Sequence, residues 1–263
     1  MTFEIISFAF VGILAGLLSG LLGIGGGVVT IPLLLVIFKF LGLPASSMMH
    51  LAIGTSLAAM VFNTLSSSTA HYRKGAVLFS IVKPMALGVV VGALLGATIA
   101  RFASSSFLQI FFGCFELLLG IRFLLPEPKI IRDKKLPSFW GLSSISLGVT
   151  TLSTMLGIGG GIVNVPILTH FNVPVKQAIG TSSALSFLIS LFGALFFLMM
   201  GMHTSHVHES VGYLYLPAFV VISIVSFFIA PYGAKLAHRL HTKVLKRIFG
   251  LALLAAGATM IFN

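Results

Sequence analysis

Long apolar stretches alternate along the chain with short breaks that hold most of its prolines and basic residues. The stretches run over 3–41, 47–70, 76–101, 104–125, 138–171, 176–201, 211–238 and 243–262. A helix needs roughly 20 largely apolar residues to cross hydrocarbon, and nearly every stretch meets that length. The first stretch of each half is longer and is interrupted by glycine, and its tail at 28–41 is short for a full span. The pattern predicts an all-α integral membrane protein of about 8–10 helical segments, some of them half-helices around glycine-rich breaks.

Composition supports a bilayer as the main solvent. Of 263 residues, 57% are hydrophobic and 8% charged, and the mean hydropathy is +1.12, well beyond soluble domains. The formal charge of +11 does not point to nucleic acid, because the basic residues lie between apolar segments, where they set topology. Met1 to Leu22 has neither a basic leader nor a small-residue cleavage site and reads as a first helix. The single cysteine, Cys114, lies in an apolar run, which leaves no intramolecular disulfide or cysteine-rich metal centre to expect.

The chain repeats itself. Leu22-Gly23-Ile24-Gly25-Gly26-Gly27 recurs as Leu156-Gly157-Ile158-Gly159-Gly160-Gly161, with Pro32 and Pro166 at matching distances. Ala52-Ile53-Gly54-Thr55-Ser56 recurs as Ala178-Ile179-Gly180-Thr181-Ser182, and Phe112-Gly113 with Gly120 as Phe249-Gly250 with Gly257. Two repeats, 1–125 and 138–263, therefore flank a charged linker, 126–137, which the prolines Pro126, Pro128 and Pro137 bound and interrupt.

Basic loops accumulate in the cytoplasm. If each half crosses an odd number of times, Arg73 and Lys74, the linker with Lys129, Arg132, Lys134 and Lys135, and the late loop with Lys235, Arg239, Lys243, Lys246 and Arg247 all face inward. Lys39 and Arg101 alone then face outward. An even number would place the late basic loop outside. Inverted-topology repeats with both termini outside are the expectation.

Consecutive glycines are poor helix interior, at ~1 kcal/mol each relative to alanine, so the helix should break at Gly23–Gly27 and Gly157–Gly161. Irregular backbone survives at membrane depth only where protein or a water-filled cavity satisfies it. A helix restarting after such a break presents free N–H groups and about half a positive charge to an anion. Gly25, Gly26, Gly27, Gly159, Gly160 and Gly161 are accordingly candidate substrate-binding residues. Thr55, Ser56, Thr181 and Ser182 are candidate hydroxyl donors, with Ser19, Thr30, Ser153 and Asn164 flanking the breaks. Close helix packing is the competing use of small residues, and the better account of Gly88, Gly92 and Gly96.

Among the five acids, Glu116 alone lies well inside an apolar segment, and an intramembrane acid is a candidate proton relay. Its counterpart in the second half is Leu253. Lys83, next to Pro84, is placed to snorkel to an interface. His203, His206, His208 and Glu209 resemble metal ligands by type but fall in an outside loop without a recognisable geometry. No metal, cofactor or nucleic acid is expected. No nucleophile-base pair, Walker loop or metalloprotease motif appears, so no enzyme is expected either.

The duplicated Gly-Ile-Gly-Gly-Gly-x4-Pro-x-Leu pattern, Gly23 to Leu34 and Gly157 to Leu168, with Ala-Ile-Gly-Thr-Ser downstream of each, resembles the TauE/SafE family over essentially the whole chain. The resemblance implies a plasma-membrane carrier that exports small, often sulfur-containing anions such as sulfite, sulfoacetate or related organosulfonates. Sulfite is the first substrate to test. An anion channel and a membrane scaffold are the two alternatives that the same residues permit.

Overall fold

The computed structural model describes residues 2–23, 25–125, 135–202, 207–237 and 242–262. Most of the linker, with Lys129, Arg132 and Lys134, lies outside that set, as do Ile24, His203, His206 and Arg239.

Ten helices are described: α1 (Thr2–Leu22), α2 (Gly27–Phe40), α3 (Ala45–Tyr72), α4 (Phe79–Phe102), α5 (Ser105–Leu124), α6 (Phe139–Met155), α7 (Gly161–His170), α8 (Val175–Gly201), α9 (Leu216–Ala237) and α10 (Thr242–Phe262). Six are long and apolar enough to cross a membrane. A two-residue hairpin, β1 (Ser210–Val211) with β2 (Leu214–Tyr215), precedes α9. The stretch at 211–238 thus becomes a helix only from Leu216, because Gly212 takes a φ of 58° and turns the chain. Tyr215 Oη donates to Glu209 across this turn at 3.2 Å.

Packing joins the halves rather than separating them. The most extensive helix contacts are α1 with α9, α4 with α6, and α5 with α10, each across the repeat boundary. Glycine makes the first two possible. A Cβ on Gly12, Gly16 or Gly20 would meet Val225 Cβ at 2.9 Å, the Ser226 carbonyl at 2.7 Å or the Ala230 carbonyl at 2.1 Å. On Gly88, Gly92 and Gly96 it would meet the carbonyls of Ser143, Leu147 and Thr151 at 2.1, 2.6 and 2.4 Å. Backbones this close are the small-residue packing of membrane helices.

The partner numbers also fix directions. They rise together in α1 with α9 and in α4 with α6, so those pairs run parallel. In α3 with α8, Thr64 meets Ser190 and Ser67 meets Ser183. Gly113 faces Met260 and Gly120 faces Leu254 in α5 with α10. The duplicated helices α3 and α8, like α5 and α10, therefore run antiparallel.

Charge separates by end. Lys74 reaches the Ala234 carbonyl at 3.5 Å, bringing the α3–α4 turn to the end of α9 that carries Lys235. Ser143, near the start of α6, packs on Gly88, which brings Lys135 to the same end as the start of α4. Lys39 and Arg101, with Glu4, lie at the opposite end, where Phe38 and Phe8 both pack on Tyr215.

Candidate functional site

Both glycine motifs are breaks between helices, as their composition predicts. Gly23, Gly25 and Gly26 have φ of 67°, 80° and 82°, and Gly157 and Gly160 have 67° and 69°. Other residues rarely adopt this left-handed region. Gly26 and Gly160 are the N-cap residues of α2 and α7, and neither helix has a side-chain cap.

The two breaks lie against each other. A Cβ on Gly25 would lie 3.3 Å from Gly159 Cα, and one on Gly27 would lie 2.3 Å from the Gly157 carbonyl and 3.0 Å from Ile158 Cα. From this meeting α2 runs to the end of the bundle that holds Phe38 and Tyr215. The far end of α7 joins a second core around Ile81, Val82, Leu168 and Val173. The two N-termini thus face the same central region. Each end is equivalent to about half a positive charge.

Hydrogen bonding divides the backbone groups of the breaks. Ser56 Oγ donates to the Gly157 carbonyl at 3.1 Å, Asn63 Nδ2 to that of Gly25 at 3.1 Å, and Ser186 Oγ to those of Gly23, at 3.0 Å, and Gly159. Ser67 Oγ donates to the Ser19 carbonyl at 3.2 Å. The carbonyls of the breaks are taken up by α3 and α8, while the uncapped N–H ends of α2 and α7 point to the centre. Several flanking polar atoms are fully buried with no hydrogen-bond partner among the described residues: Ser19 Oγ, Ser153 Oγ, Ser182 Oγ, Asn63 Oδ1 and Asn164 Oδ1. Ser19 and Ser153 are duplicated positions, as are Ser56 and Ser182. A Cβ on Gly160 would lie 3.1 Å from Ser153 Oγ and 3.3 Å from Asn164 Nδ2, so these side chains surround the start of α7.

Other predicted residues have further partners. Thr30 Oγ1 bonds back to the Gly26 carbonyl at 3.1 Å. Thr55 Oγ1 accepts from the Tyr215 N–H at 2.9 Å, and Thr181 Oγ1 from the Leu78 N–H at 3.0 Å. These duplicated threonines hold the chain that enters α9 and α4. Thr55→Val is expected to lower stability by about 1–3 kcal/mol, the cost of a buried N–H left unpaired, while Thr55→Ser restores it, as thermal unfolding in detergent would measure.

Asn63, Ser186 and Met60 were not among the residues anticipated at the breaks. Met60 Sδ would lie 2.9 Å from a Cβ on Gly27 and 3.3 Å from one on Gly25. One signal was available, since Ser186 follows Ser182 by one helical turn and shares its face.

Glu116 lies in the α5–α10 seam, where Gly257 brings a Cβ position within 3.1 Å of its own Cβ. It is completely buried, and neither carboxyl oxygen has a hydrogen-bond partner among the described residues. Cys114, on the same helix, is exposed. Of the three histidines in the late loop, His208 alone is described. Among the described residues no three His, Cys, Asp or Glu side chains are grouped to hold a metal.

The family model described as "Sulfite exporter TauE/SafE" matches residues 8–260. A "Probable membrane transporter protein" of Haemophilus influenzae is 34% identical over 257 residues, covering 96% of each chain. One of Methanocaldococcus jannaschii is 30% identical over 262 residues, covering 95% of this chain and 93% of its own. A third, from Bacillus subtilis, is 28% identical over 278 residues, covering 96% and 95%. No solved structure matches the chain.

Proposed function

The chain belongs to the sulfite exporter TauE/SafE family, and from that premise we propose that it is a secondary transporter that exports a small anion, sulfite or a related sulfur-containing organic anion, across the plasma membrane. It is a multi-pass membrane protein of a transporter family. The observation that carries the rest is the meeting of two uncapped helix N-termini beside buried, unpaired hydroxyls. Such ends attract an anion without a fixed cationic side chain. Gly25, Gly26, Gly27, Gly159, Gly160 and Gly161 supply the backbone of the site, Ser182, Ser19 and Ser153 its free hydroxyls, and Asn164 an amide, while Ser56 holds the Gly157 carbonyl. Thr55 and Thr181 frame it from the adjoining turns of α3 and α8.

We read the halves, 1–125 and 138–263, as inverted-topology repeats. The antiparallel course of the duplicated pairs α3 with α8 and α5 with α10 supports this, and so does the grouping of Lys74, Lys135 and Lys235 at one end, the cytoplasmic one by the positive-inside rule. Alternating access then needs units that each draw helices from both halves, such as α1 with α9 and α4 with α6, to rock around a fixed central site.

Glu116 is the proposed proton-coupling residue. An unpaired carboxylate sealed in protein costs several kcal/mol, a cost met by a proton or by opening of the seam. Glu116→Gln is expected to keep anion counterflow within about twofold while losing accumulation driven by a pH gradient, because an amide cannot exchange the proton. Accumulation unchanged in this variant would remove Glu116 from coupling.

The proposal is tested by counterflow in liposomes containing the purified chain, with sulfite, thiosulfate, sulfoacetate, sulfate and acetate as the panel. Saturable flux of one anion establishes a carrier, and unitary currents would establish a channel instead. Absence of both, from folded protein, would leave the scaffold function.

A further inference from the structure

The central site holds more than donors. Asn63 donates through Nδ2 to the Gly25 carbonyl at 3.1 Å, which fixes the amide's orientation and leaves Oδ1 as its other group. Asn63 Oδ1 is buried with no partner among the described residues, and Asn164 Oδ1, beside the start of α7, is in the same condition. Each half therefore places one amide oxygen near the breaks, and an amide oxygen only accepts. An unpaired acceptor of this kind costs free energy until something donates to it. An anion with no hydrogen of its own would meet the helix ends and repel these oxygens.

We infer that the site selects a singly charged anion that carries its own hydrogen-bond donor, such as hydrogen sulfite rather than the sulfite dianion, with Asn63 Oδ1 accepting from it. Asn63 thereby determines specificity. The two halves differ at this point, for the position duplicated from Asn63 is Ile189, whose Cδ1 lies 2.7 Å from a Cβ on Gly160. The oxyanion end is bound by the N–H groups of α2 and α7, and its hydroxyl turns to the Asn63 side. A site built around a buried acceptor discriminates strongly against an isostere that lacks the donor.

This inference rests on the anion-carrier reading, and its test separates the two. Counterflow of labelled sulfite is measured in liposomes in mildly acidic buffer, with unlabelled hydrogen sulfite or methanesulfinate as competitor. The two are singly charged and similar in size, and methanesulfinate carries a methyl group in place of the hydroxyl. Hydrogen sulfite is expected to compete at a concentration lower by about tenfold or more. In Asn63→Leu the gap should close to about threefold or less. Flux at constant total sulfite should also fall as pH rises and the anion loses its proton. Equal competition in the wild-type protein, with counterflow intact, would overturn the inference and leave the carrier standing. The wild-type ratio decides this even if Asn63→Leu does not fold. Failure of sulfite counterflow itself would remove the carrier reading for sulfite, and this inference with it.

Discussion

Replacing Gly27 by alanine is expected to bring anion flux to the level of empty liposomes. A Cβ there would stand 2.3 Å from the Gly157 carbonyl and 2.9 Å from Met60 Sδ. The carbonyl is backbone of the opposing break and is already held by Ser56, so it cannot swing aside. The breaks must separate, and overpacking of this kind costs about 1–3 kcal/mol. The N-terminus of α2 would leave its place opposite α7. Gly160→Ala should be milder, since its nearest obstacle at 2.7 Å is the end of the Ile189 side chain, though its left-handed backbone adds about 1–2 kcal/mol of strain. Gly148→Ala is the control, with nothing within 4 Å of the added methyl. Flux retained in Gly27→Ala would show that the meeting of the breaks is not where the anion passes.

The second large effect concerns stability. Gly88→Ala puts a methyl 2.1 Å from the Ser143 carbonyl, and Gly20→Ala puts one 2.1 Å from that of Ala230. Helices α4 and α6, or α1 and α9, must move apart along their length. Each variant should lose about 3 kcal/mol, the upper part of the overpacking range, net of a gain of up to ~1 kcal/mol in helix propensity. Thermal unfolding in detergent against Gly148→Ala measures this. Because the two interfaces use separate residues, the double variant should be additive within about 0.5 kcal/mol. Little change in either would mean that these helices pack by another face.

Much of this architecture was legible in the sequence. Apolar length gave the helices, and the doubled glycine run gave the breaks, since five residues with four glycines cannot continue a helix and cannot occur twice by accident. A doubled break also points to a shared central site, and Gly25 lies against Gly159. What could not be read was which backbone group each hydroxyl reaches. Thr55 and Ser56 are adjacent, yet helical geometry points them to different faces, one to the Tyr215 N–H and the other to the Gly157 carbonyl. The repeat does not point to Asn63, because the duplicated position is Ile189. Duplication finds the frame of such a site and overlooks the places where the halves differ.

Synthesis of the chain from its N-terminus gives the crossed pairing of helices a further consequence. The partner of α1 is α9, and the partner of α6 is α4. When α1 leaves the ribosome, the helix that covers Gly12, Gly16 and Gly20 has not been made, and most of the chain must follow before it is. Native contacts of such long sequence separation slow folding. The glycine-lined side of α1 waits uncovered in the bilayer, where lipid or another nascent helix serves as a temporary neighbour. The first half alone lacks the partners for most of its native packing, so assembly waits for the second half.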